Sequence, residues 1–461
     1  MRDTNAWPEL LSTALVGTAR RTVPDPPGLP PVTGGDPALT LLDRAALVAV
    51  RDRAGRRPGR ADPIPPAPPE SAPMVGAAAA RRLRGLVEQE PGPHLAEWLG
   101  LAAAKGLRVP PEHLPELLDL GARAHSLGRA ITRVCGERGF WLAGLNPRWS
   151  YLTNLVPAGD FTPEQWRAEN AERRRALLDS LEERLCPDHE PLLTEALADR
   201  SPRVRGAARV LLARLPDTEH GRRLAAHARR HIRTGGKGRP TVRLPDLRDE
   251  ELARDIGVRA PAGSGQDREI RREWLWTLVS HTPLDTWTHH LGDDRADVVR
   301  RVSATGHWDL VDALANAAVV QRDLAWARVL IPCVLGRLAR GHDMRGSRGP
   351  ALLGLLPAEE QCAWALRRAR GTGSAHALLA AVEHLDCPWT RELGEVAAEL
   401  IARSTGDPPD SSLRALCASA ELWMPPDLHT RFDTRGDFDD HPGARLARTL
   451  RFRFDMHEEL S

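Results

Sequence analysis

The arginines at positions 222, 223, 229, 230 and 233, with Lys237 close behind, are the side chains whose type and spacing point most directly to chemistry. That chemistry is recognition of negative charge, because a guanidinium presents a planar fork of donors that matches carboxylate or phosphate. Between Ser201 and Arg243, eleven arginines and Lys237 stand against only Asp217 and Glu219, a local charge of +10. The whole chain holds 64 Lys+Arg and 62 Asp+Glu, a formal net charge of +2, so the concentration stands out from a neutral background. Arg222, Arg223, Arg229, Arg230 and Arg233 fall on one predicted helix that runs into a basic loop. Charge runs also occur on solvated faces, and the acidic stretch Asp246 to Asp255 is placed to neutralise part of this one.

Other chemistries lack a matching pattern. The GGKG run at 235–238 fails as a phosphate loop, which needs Gly where His231 stands and Ser or Thr where Gly238 stands. No HExxH occurs, and the adjacent His289 and His290 point in different directions on a helix. Cys186 and His189 could meet on one turn, yet no second pair repeats their spacing. The acidic run Asp433, Asp437, Asp439, Asp440 with His441 departs from calcium-loop spacing and lacks its closing Glu. There is no GxSxG and no SxxK. The reading is therefore no metal, no cofactor and no catalytic residue, hence not an enzyme.

Elements that could position the basic cluster are helical throughout. Apolar residues recur at helical spacing, while alternating strand-like runs are almost absent. The expected class is all-α, built of stacked antiparallel helical hairpins. In the stretch Glu190 to Pro216, two apolar stripes flank a turn in which Ser201 is placed as N-cap and Pro202 as first helical residue. Thr162 and Pro163 repeat that device before a charged helix expected to run to Leu185. The thirteen tryptophans scatter along helical stripes, as at Trp274, Trp287, Trp326 and Trp364, and read as packing between helices.

The 461 residues exceed what one core usually supports. The breaks divide them into N-terminal helices at 1–55, a Pro-rich linker at 56–73, a helical region at 74–233, a loop interruption at 234–266 that holds short strands or an ordered loop, and a second helical region at 267–461. Six separated cysteines read as buried, reduced thiols. The longest apolar run, Val329 to Leu335, is far below the roughly 20 residues of a membrane helix, and Met1 to Leu11 has no secretory pattern, so a cytoplasmic address is expected.

Two resemblances add to these readings. Asp199 precedes Val204-Arg205 by five residues as Asp294 precedes Val299-Arg300, and this Asp-x4-Val-Arg turn resembles the HEAT family of repeats, which implies an α-solenoid. The stretches Trp7 to Arg20 (WPELLSTALVGTAR), Gly136 to Trp149 (GERGFWLAGLNPRW) and Arg445 to Asp455 resemble an uncharacterised, actinomycete-rich family of bacterial helical proteins. Its genes tend to sit beside a MoxR-type AAA ATPase, a von Willebrand A-domain protein and a SWIM zinc-finger protein. That resemblance implies a partner class and no catalytic residue. The function expected is a non-catalytic scaffold or adaptor for protein partners. The alternative is a nucleic-acid binder of the HEAT-like DNA glycosylase kind, in which the basic segment, a tryptophan and a carboxylate would converge on one groove.

Overall fold

Helical periodicity prevails along the chain: the computed structural model is 72% helix and 2% strand, an all-α protein. It describes residues 6–32, 35–54, 64–89, 92–152, 161–182, 184–215, 217–236, 239–259, 267–338, 348–369, 374–403, 411–432 and 442–461. The chain divides into two units, Met1–Pro66 and Ala67–Ser461. The boundary falls within the Pro-rich stretch, of which 56–63 lie outside the described residues.

The first unit is a pair of helices, Trp7–Val16 and Pro37–Ala54, joined through the buried Leu10, Leu41 and Val48. Prolines deny the connection its own backbone bonds, and Arg44 supplies substitutes. It donates to the carbonyls of Val23 and Pro24, each at 2.8 Å, and pairs with Asp25 at 3.0 Å.

In the second unit, helices adjacent in sequence pack on one another. Leu114–Arg123 meets His125–Val134, Glu190–Ala196 meets Pro202–Arg214, and Ala358–Ala369 meets Ala375–Val382. Among the described residues, three apolar cores result. One spans Val75 to Leu152, a second Trp166 to Leu215, and the third Leu224 to Leu450. The third core runs through the expected interruption at 234–266 by way of Leu252 and Ile256, so that segment separates no cores. Trp274, Trp287 and Trp326 are buried in this core and Trp364 flanks it, the packing role their stripes imply.

The repeated turn is realised with two different bonding schemes. Asp294 is the N-cap of Arg295–Ala304, its Oδ1 accepting the Asp297 amide at 2.8 Å. Asp199 stands two residues earlier relative to its helix. Its Oδ1 accepts the Ser201 amide at 2.7 Å, and Arg174 pairs with the same carboxylate at 2.9 Å. Ser201 holds the N-cap position with Pro202 behind it, but its hydroxyl makes no capping bond because Asp199 satisfies the turn. Thr162 does form the expected cap, as a capping box with Gln165. The charged helix it starts stops at Ala168, however, and a second helix, Ala171–Ser180, starts from an Asn170 cap. Asn170 competes for the Arg173 amide at 2.9 Å, and the buried Trp166 fills the corner so made.

The terminal amphipathic helix, Pro442–Glu459, returns to the start of the unit. Met456 and Leu460 enter the Val75 to Leu152 core, and Arg82 forms a bidentate pair with Glu459 at 2.6 and 2.7 Å while lying over Phe452. Among the described residues, no helix is long and apolar enough to cross a membrane.

Candidate functional site

The basic helix, Glu219–His231, starts at Thr218, whose Oγ1 accepts the Gly221 amide at 3.0 Å. Its helical repeat buries His220, Gly221, Leu224, Ala225, His227 and Ala228, which turns Arg222, Arg229 and Arg230 outward. The chain then passes directly into the strand Ile232–Thr234, where Ile232 enters the core and Arg233 and Thr234 are exposed. This strand pairs antiparallel with Pro240–Val242, Ile232 opposite Val242 and Thr234 opposite Pro240. His290 Nε2 donates to the Ile232 carbonyl at 2.6 Å, and the Thr234 hydroxyl donates to the His290 carbonyl at 2.8 Å, so the hairpin is tied to the helix Asp285–Leu291. His289 instead bonds the Asp285 carbonyl at 2.7 Å, so the two adjacent histidines do different work.

The arginines separate into two groups. Arg205 Nε donates to the Gly257 carbonyl at 2.9 Å and Arg209 Nη1 to the Ile256 carbonyl at 3.2 Å. Both close the C-terminal end of the helix Glu250–Asp255, where carbonyls lack intrahelical donors and cations are favoured. Burial lowers the pKa of the Arg209 guanidinium, which nonetheless remains charged. Arg214 bonds the Val320 carbonyl at 2.9 Å and pairs with Glu182 at 2.8 Å. Arg223 reaches Asp255 Oδ1 at 3.1 Å and Glu219 at 3.0 Å. These four staple the fold, and Arg223 leaves the set expected to face a partner.

The second group faces outward. Arg203, Arg222, Arg229, Arg230, Arg233, Arg239 and Arg243 are all exposed. Arg222 donates to the Asp217 carbonyl at 2.9 Å. Among the described residues, Arg229, Arg230, Arg233, Arg239 and Arg243 make no ion pair. Helix end and hairpin thus present five uncommitted cations side by side in sequence. Lys237 lies outside the described residues, as do Asp433, Asp437, Asp439, Asp440 and His441.

Beneath this face lies a polar cluster that spacing along the chain does not reveal. His227, 3% exposed, meets Asp255, 6% exposed, with Nε2 and Oδ2 3.3 Å apart. Glu251, one helical turn before Asp255, completes a group whose potential ligand atoms all lie within 4.8 Å of one another. Burial alone would raise the Asp255 pKa. The hydrogen bonds from His227 and Arg223 and the Arg223 charge outweigh it and hold the carboxyl below its ordinary range. His220, on the same helix, is pushed down to about 4 by burial and is neutral at pH 7. A carboxylate pair at i and i+4 in DEELARD is visible in the sequence, but nothing there joins it to a histidine 24 residues upstream.

Cys186 is half-buried and its amide bonds His189 Nδ1 at 3.1 Å, a local cap. Cys333 is also half-buried, so burial of all six thiols was too broad an expectation. Burial raises Cys135 and Cys417 to about 12 and leaves them unreactive at neutral pH. A base-flipping site would need an accessible aromatic beside the basic face and a carboxylate. Asp255 is engaged by Arg223 and His227, while Trp274 and Trp287 of the neighbouring helices are buried.

Fold and site together define an all-α protein with a basic face carried on a helix end and a small hairpin. The chain matches a family of unknown function (DUF5691) over residues 9–163 and 156–460, and it belongs to that family. No curated protein and no solved structure matches it.

Proposed function

We propose that this protein is a non-catalytic helical scaffold or adaptor, its hairpins stacked as a HEAT-like α-solenoid, that docks an acidic surface of a protein partner. The carrying observation is the set of exposed arginines 229, 230, 233, 239 and 243, which find no carboxylate among the described residues of their own chain. Charges held at a rim act mainly by steering encounter and selecting partners. A MoxR-type AAA ATPase or its von Willebrand A-domain companion is the partner class that the family resemblance brings forward, and the cytoplasm is the compartment where they would meet. The buried tryptophans favour this reading over nucleotide flipping.

The test is charge reversal of Arg229, Arg230 and Arg233 to Glu, with binding to the purified ATPase and A-domain protein followed by stopped flow. Association should slow at least tenfold and lose most of its dependence on ionic strength. If the native protein instead binds duplex DNA at 150 mM salt with a steep salt slope that the reversal abolishes, the nucleic-acid reading replaces this one. An unchanged association rate reduces the patch to a solvated face.

A further inference from the structure

We propose that His227, Glu251 and Asp255 form a binding site for one divalent cation of the zinc class, pinning the helix Glu250–Asp255 to the basic helix.

The geometry of the His227–Asp255 contact is the first reason. At 3.3 Å, the Nε2 to Oδ2 separation is longer than the 2.9–3.0 Å at which N–H···O bonds cluster. Two ligand atoms that each sit about 2.1 Å from one ion at the tetrahedral angle lie about 3.4 Å apart. The observed spacing, a long hydrogen bond as it stands, is also the spacing of two ligand atoms on one ion. The second reason is the state of the imidazole. His227 is buried, which fixes its ring beside the two carboxylates.

The ligand set and its surroundings support the same assignment. Glu251 and Asp255 are one turn apart, so both carboxylates lie on one face of their helix. Glu251 is exposed and has no ion pair among the described residues, which leaves its carboxylate free to swing onto an ion and gives that ion a path from solvent. Arg223 on Asp255 Oδ1 orients the carboxylate while leaving Oδ2 for the metal, the outer-shell support common around ligating carboxylates. One imidazole nitrogen with two carboxylate oxygens suits zinc and its neighbours; magnesium and calcium prefer oxygen alone. Water would complete the coordination. The cation would neutralise the two carboxylates behind the arginine face and so fix the element from which Arg229 and Arg230 project.

This site does not depend on the docking reading, and its test involves no partner. Zn²⁺ is titrated calorimetrically into the full chain and into Glu251→Gln, which alters an exposed side chain and leaves the buried network intact. We expect one ion per chain and at least a tenfold weaker affinity for E251Q. Co²⁺ in the site should give visible d–d bands without a thiolate charge-transfer band, as befits nitrogen and oxygen ligands. The absence of Zn²⁺ binding at 100 µM would overturn the site. So would binding unchanged by E251Q, which would locate the ion at another histidine or cysteine.

Discussion

Arg453 Nε stands 2.8 Å from Glu97 Oε2 across 356 residues of chain, and this contact fastens the last helix to the second helix of its unit. Arg453 is buried, and it also donates to the Met424 carbonyl at 2.8 Å and the Glu421 carbonyl at 3.2 Å. His457 Nε2 approaches the same carboxylate at 2.8 Å. Burial would raise the Glu97 pKa. Hydrogen bonds from His457, His94 and Arg453 reverse that and hold it well below the carboxylate range. A buried ion pair is costly to leave half-made, about 3–5 kcal/mol when one partner is removed, although replacing both can be nearly neutral. Arg453→Met should therefore destabilise the second unit by roughly that amount, and Arg453→Met with Glu97→Gln should recover part of the loss. Urea denaturation of the three proteins checks it. A double variant no more stable than the single one would show that the arginine acts through its carbonyl bonds.

Acid should weaken the fold well before Glu97 titrates. His281 is buried, its Nδ1 donating to the Thr277 carbonyl at 2.8 Å, and burial lowers it from 6.5 to about 4. A base whose folded pKa is depressed lets the unfolded chain bind the extra proton, so stability is complete above pH 6.5 and declines as pH falls toward 4. The shift corresponds to a loss of roughly 3 kcal/mol over that window. Glu97 contributes in a different window: its stabilisation is present above the ordinary carboxylate pKa and is lost only as pH drops through its depressed value. The measurement is urea stability at pH 7, 5.5 and 4 for the native chain and His281→Leu. The variant should show a shallower decline. Equal slopes would mean that His281 is hydrated in solution.

The two copies of the Asp-x4-Val-Arg turn should respond unequally to the same substitution. Asp294→Ala removes one capping bond, which costs about 1 kcal/mol. Asp199→Ala removes the bond to the Ser201 amide and leaves Arg174, which is mostly enclosed, without its carboxylate. Its cost should be about 2–4 kcal/mol. Thermal or urea unfolding of both variants measures the difference, and equal losses would show that the repeated spacing carries the whole effect.

What could be read from sequence was local: helix faces, the Thr162 cap, the position of both aspartate turns and the burial of the stripe tryptophans. Each depends on residues within a turn or two of one another. The break at Glu169 escaped because the helical period continues through it while Asn170 quietly offers a second cap. Contacts between Arg453 and Glu97, or His227 and Asp255, escaped for a deeper reason. Periodicity tells which face a helix buries and says nothing about which distant helix will cover it. The basic segment shows the consequence: eleven arginines look alike in sequence, yet burial turns Arg205, Arg209, Arg214 and Arg223 into staples and leaves others facing water.

That division gives the sharpest test of the basic segment, because neighbouring arginines on one helix should behave oppositely on reversal to Glu. Arg223→Glu places a carboxylate beside Glu219 and the largely enclosed Asp255, replacing attraction by repulsion where solvent screens little. Asp255 then keeps only the 3.3 Å contact with His227. We expect a loss of about 2–4 kcal/mol, below the roughly 3–5 kcal/mol of a fully buried pair because Arg223 is partly exposed. Arg229→Glu with Arg230→Glu touches no ion pair among the described residues, so stability should change by about 0.5 kcal/mol or less in either direction. Raising salt to 0.5 M should narrow any residual difference of the exposed pair and barely alter the Arg223 variant, since a Debye length of a few ångströms screens surface charges far better than enclosed ones. Paired urea curves at low and high salt decide it. If Arg229→Glu/Arg230→Glu destabilises as much as Arg223→Glu, the outward arginines are structural, and the docking surface must be sought elsewhere on the molecule.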